Sequence, residues 1–138
     1  MKIKFMTAMV FVFVASISSD AICSTEETIV RDCTKAAGVE QNNYEKKYIQ
    51  TMNNGKKVKS EDFEVISPTT KMNQIKMFSN ACIFAFRASN NGIEKSTYSD
   101  YLLEQIYTKT GISEVDYSWF KPVFIKMVDA GYNLAEEK

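Results

Sequence analysis

Apolar residues in this chain recur at steps of three and four, and nowhere do they alternate over the length of a strand. A 3.6-residue period gathers such residues on one helix face, whereas a half-buried strand needs a period of two. The pattern commits the chain to an all-α fold. Ile29, Val30, Cys33, Ala36 and Ala37 form the first stripe, opened by Ser24-Thr25-Glu26-Glu27, a capping-box sequence with Ser24 as N-cap. Gly38 stands where a left-handed residue ends a helix. A second helix is expected to start near Asn42 or Asn43, with Tyr44, Tyr48, Ile49 and Met52 on one face and Asn53-Asn54-Gly55 as its stop. Residues 56–69 read as a long loop with room for one helical turn.

Three more helices follow. Met72, Ile75, Phe78, Cys82 and Phe86 place one from about Thr70 to Asn90, closed by Asn90-Asn91-Gly92. Ser96 or Thr97 caps the next, which turns Leu102, Leu103, Ile106 and Tyr107 inward and ends near Gly111. The last runs from roughly Ser113 to Ala130, before Gly131. Val115, Trp119, Phe120, Val123, Phe124, Met127 and Val128 cover more than half its circumference, so it wants to be surrounded. Proline fits only a helix's first turn, so Pro122 implies a start near Ser118 or a kink.

The beginning of the chain reads as an address. Lys2 and Lys4 precede the apolar run from Phe5 to Ile17, then Ser18, Ser19, Asp20 and Ala21. A basic start, a compact apolar stretch and small residues describe a secretory signal peptide over residues 1–23. The stretch from Phe5 to Ser19 is shorter than the ~20 residues of a membrane span. Cleavage falls after residue 21 (Ser19-Asp20-Ala21) or after residue 23 (Ala21-Ile22-Cys23). The second frame leaves Cys33 and Cys82 as an even pair, which suits an oxidising compartment. Residues 24–138 then form a single domain.

Composition excludes several functions. The 138 residues include no histidine, which removes Ser-His-Asp and Cys-His pairs and histidine-bound zinc. Seventeen basic residues balance 17 acidic ones, so the electrostatic footprint of a nucleic-acid binder is missing. Lys56, Lys57 and Lys59 read as a solvated loop. Glu61, Asp62 and Glu64 match no calcium-loop spacing. The expectation is no enzyme: no catalytic residue, no metal ligand and no cofactor.

Cys33 and Cys82 each sit on an apolar stripe, as a bridge or as two buried thiols. A bridge is worth about 3–4 kcal/mol by loop-closure entropy. The leader, Cys33 followed by Gly38-Val39, and Cys82 inside Phe78-Ser79-Asn80-Ala81-Cys82 resemble the insect odorant-binding protein family. So does Asn91-Gly92-Ile93 before Tyr98-Ser99-Asp100-Tyr101-Leu102-Leu103. The resemblance spans about residues 25–110 and is that of a divergent, reduced-cysteine member. The family pairs its first cysteine with its third, which implies Cys33 with Cys82. Phe78 stands at its second cysteine, and its three C-terminal cysteines are absent.

The resemblance implies a compact bundle of five to six helices around an apolar cavity, stapled by one disulfide. It implies a secreted, non-enzymatic carrier of one small hydrophobic molecule (an odorant, a pheromone or a lipid-like compound). Aromatic walls with a few hydroxyls suit such a ligand. The candidate wall is Tyr44, Tyr48, Met52, Phe86, Tyr98, Leu102, Ile106, Trp119, Phe120, Val123, Phe124 and Met127. The alternative is a salivary, venom or reproductive secretion that keeps the fold and binds a receptor or host protein through the loop around Lys56–Glu64. A monomer or weak homodimer is expected, without nucleic acid.

Overall fold

Ile29, Cys33, Ala37, Gln41 and Tyr44 are all buried, and their spacing of four, four, four and three passes Gly38 unbroken. The first two expected helices are therefore one, α1 (Asp20–Met52). A glycine inside a helix costs about 1 kcal/mol relative to alanine, which is small against interrupting a continuous buried stripe. Three further helices complete the architecture: α2 (Pro68–Asn90), α3 (Lys95–Lys109) and α4 (Glu114–Glu136). The computed structural model describes residues 20–52 and 66–137. Among these the chain is all-helical, with four helices where five to six were expected.

The caps explain most boundaries. Ser67 is the N-cap of α2, its Oγ accepting the Thr70 amide at 3.2 Å, and Pro68 takes the first helical position. The helix thus begins before the expected Thr70. Gly92 (φ 75°) turns the chain out of α2, and the Ile93 amide closes back on the Ala88 carbonyl at 3.0 Å. That tight turn feeds α3 directly, so its N-cap is Glu94 rather than Ser96 or Thr97. Gly111 (φ 64°) follows α3, and Ser113 caps α4 by accepting the Asp116 amide at 3.1 Å. α1 is already helical at Asp20, upstream of the expected N-cap Ser24. The expected leader up to residue 19 and the loop over residues 53–65 lie outside the described residues.

α4 packs against all three other helices. Cys33 meets Cys82, and Gln41 meets Gln74, so α1 and α2 run antiparallel. Phe78 touches Phe120 and Phe124, while Gly131 approaches Ala85 and Phe86, so α4 runs parallel to α2. Gly131 does not end α4, which continues to Glu136. It lies against the α2 backbone, where a side chain at this position would overlap the Cys82 carbonyl. α4 also runs through Pro122 in one piece, and Pro122 faces solvent.

Phe78, Phe124, Met127 and Val128 are fully buried, as are both cysteines. The Cys33–Cys82 disulfide joins α1 to α2 with Cα atoms 5.6 Å apart. An ion pair from Arg87 to Glu26 adds a second tie between the end of α2 and the start of α1. Tyr98, Val128 and Tyr132 form a smaller cluster between α3 and the C-terminal half of α4. Met72, Tyr107 and Val115 are exposed, contrary to the inward placing of Tyr107. Tyr107 instead stacks edge-on against Tyr117, with ring centres 5.0 Å apart, and bonds Glu114.

Candidate functional site

α1 and the first turns of α4 bring four large rings together. Tyr44 and Phe120 stack with centroids 5.0 Å apart, and Tyr44 and Tyr48 lie 6.1 Å apart. Trp119 stands edge-on to both tyrosines, at 6.4 Å from Tyr44 and 6.1 Å from Tyr48. These residues are one turn apart on α1 and neighbours on α4, so a single crossing assembles the group. Tyr44 is buried, while Tyr48, Trp119 and Phe120 each keep part of their surface open. Lys47 lies over the Trp119 ring, 5.7 Å from its centroid. Burial raises the Tyr44 hydroxyl above its usual pKa, with Asp116 and Tyr48 adding to the effect.

The other expected wall residues divide. Phe124 and Phe120 close on Phe78, at 5.5 and 5.9 Å, so Phe78 fills the core beneath the aromatic group. Phe86, Ile106, Val123 and Met127 belong to the same core, and Leu102 packs against both clusters. Tyr98 is separate: it faces Tyr132 at 6.5 Å, and burial pushes its hydroxyl far above the tyrosine range. The Met52 side chain lies outside the described residues.

Two polar side chains escape the sequence reading. Gln41 and Gln74 are buried facing one another, Gln41 Nε2 donating to Gln74 Oε1 at 3.3 Å. Their position on the apolar stripes, four residues from Ala37 and Phe78, was the available signal. Thr34 and Ser79 hydroxyls share a second bond across the same helix pair at 3.1 Å.

Among the described residues two grooves open on the surface. One, of about 450 Å³, runs between α1 and α4, with Ala36, Val39, Met127, Ala130 and Leu134 below charged residues. Lys126 and Glu40 are paired beside it at 3.3 Å. The other, of about 350 Å³, lies between α3 and α4 beside Tyr107 and Tyr117. Met127 is the one expected wall residue that lines either groove. Among the described residues no group of three or more metal-ligating side chains gathers. No helix there is long and apolar enough to cross a membrane. Comparison with family models, curated proteins and solved structures finds no match for this chain.

Proposed function

We propose that the chain is a secreted, non-enzymatic carrier that binds one small hydrophobic molecule against the aromatic group of α1 and α4. The observation that carries this reading is the contact of Tyr44, Tyr48, Trp119 and Phe120 with three of the four residues still partly exposed. Clustered rings offer a ligand large apolar area at low entropic cost, and tyrosine hydroxyls orient it. Capture needs no covalent step, because burying apolar surface drives it. The Cys33–Cys82 bridge supports secretion, since such bonds persist in oxidising compartments. It also supports the resemblance to the odorant-binding family, whose first-to-third pairing it matches.

Native mass spectrometry of protein secreted from insect cells tests the reading. A stoichiometric apolar adduct that leaves on unfolding is expected, and the denatured mass fixes the cleavage point. Trp119→Ala should abolish uptake of added lipids and fluorescent probes at unchanged helicity. A bare protein that takes up neither would overturn the carrier reading.

The filled centre around Phe78, Phe124 and Met127 favours a second reading, a secreted protein that binds a receptor or host protein. In that case ligand uptake is absent and replacement of residues 56–64 abolishes partner binding.

A further inference from the structure

Gln41 is fully buried on α1, one turn before Tyr44. Its amide nitrogen is committed: Nε2 donates to Gln74 Oε1 at 3.3 Å and reaches Glu45 Oε2 at 3.5 Å. A carboxylate only accepts, so Glu45 fixes which end of the Gln41 amide points its way. Lys71 Nζ in turn holds Glu45 at 3.0 Å, which neutralises its charge. The other end of the amide, Oε1, is buried and has no hydrogen-bond partner among the described residues. A buried carbonyl that meets no donor is costly, so a donor from outside the chain, a water or a ligand, would relieve it.

The location connects that oxygen to the aromatic group. Tyr44 lies one turn beyond Gln41, and Phe78 one turn beyond Gln74. Both Tyr44 and Phe78 hold Phe120. The unpartnered acceptor thus lies one helical turn along α1 from Tyr44, on the side away from Tyr48. Its charge state also selects the donor. A neutral amide oxygen, with the nearby carboxylate already paired to lysine, suits an uncharged hydroxyl better than an ammonium group.

We infer that the ligand is an apolar molecule bearing a hydroxyl, which donates to Gln41 Oε1 while its apolar body lies against Tyr44, Trp119 and Phe120. This inference rests on the carrier reading and adds the ligand's polar group to it. Hydrocarbons and ethers of the same shape lack the donor and bind more weakly.

The test compares n-decanol with n-decyl methyl ether, with binding followed by the fluorescence of Trp119, the chain's single tryptophan. The ratio of the two affinities is measured in the wild type and in Gln41→Leu, so that the ligands' different hydrophobicities cancel. The ratio should favour the alcohol about fivefold more in the wild type, as one net hydrogen bond implies. If Gln41→Leu lacks wild-type helicity, Gln41→Met, unbranched like glutamine, takes its place. An unchanged ratio with both ligands bound would overturn the inference and assign the oxygen to a water molecule, while the carrier reading stands. If neither ligand binds the wild type, the carrier reading fails and takes the inference with it.

Discussion

Among the described residues no atom outside the local α1 backbone lies within 4 Å of where a Cβ on Gly38 would stand, whereas a Cβ on Gly131 would lie 2.7 Å from Ala85 Cβ and 2.8 Å from the Phe86 nitrogen. Both glycines are interior to helices. Alanine at position 38 should therefore stabilise the protein by about 0.5–1 kcal/mol, because it removes unfolded-state freedom at no steric cost. Alanine at position 131 meets backbone that cannot rotate away, so α2 and α4 must separate. A loss of about 2 kcal/mol or more is expected. Urea unfolding of Gly38→Ala and Gly131→Ala should move the midpoint in opposite directions. Tyr98 carries a prediction in pH. Burial, then Tyr132 and Tyr101, raise its hydroxyl pKa well above the ordinary 10.0. The folded state keeps this proton after the unfolded chain has released its own, so stability is whole below pH ~10 and falls above it. Tyr98→Phe should flatten that fall when thermal midpoints are followed into alkaline buffer.

At the scale of the helix, Pro122 is the anomaly. It stands inside α4 with no N–H for the Ser118 carbonyl, while the Ser118 hydroxyl turns to the Val115 carbonyl at 2.6 Å. Because Pro122 faces solvent, its replacement disturbs no core contact. Pro122→Ala should restore the missing bond and stabilise by roughly 1–3 kcal/mol. A slowly exchanging amide at position 122 would report that bond, and no gain in stability would contradict it. The helical stripes were legible in the spacing of apolar residues, although the first two expected helices are one. Tyr44, Tyr48, Trp119 and Phe120 were among the twelve expected wall residues, but spacing alone did not single them out as a group. The helix ends were less legible. Gly38 and Gly131 resemble local stop signals, but continuity of the buried stripe at Ile29, Cys33, Ala37 and Tyr44 outweighs the first. Close approach of α2 explains the second. Ser67-Pro68 held a usable start signal, an N-cap followed by proline, that the apolar spacing passed over. Tyr98 could not be placed by spacing at all. Its separation from the aromatic group follows from α3 packing its first turns on the far half of α4, which is a tertiary fact.

For the whole molecule the decisive bond is Cys33–Cys82. It spans 49 residues of sequence and lies at the contact of α1 with α2. α1 leads into residues 53–65 and makes the remaining contacts of its buried stripe with α2 and α4. By restricting the unfolded chain, a cross-link closing a loop of this length raises its free energy by about 4 kcal/mol at room temperature. Domains of ordinary stability hold only ~5–15 kcal/mol in total. The double variant Cys33→Ala/Cys82→Ala should therefore unfold at much lower urea, with α1 the first element to lose amide protection. Neither sulfur has any exposed surface. Dithiothreitol should consequently reduce the native protein slowly, at a rate set by opening between α1 and α2 and accelerated by mild urea. If a ligand bridges the aromatic rings of α1 and α4, it binds the closed arrangement alone and should slow that reduction in proportion to its occupancy. Mass-spectrometric timing of thiol release, with and without n-decanol, reads both effects. Rapid reduction unaffected by urea would show that the bond is reached without opening the helix pair, and that the staple does not hold α1 in place.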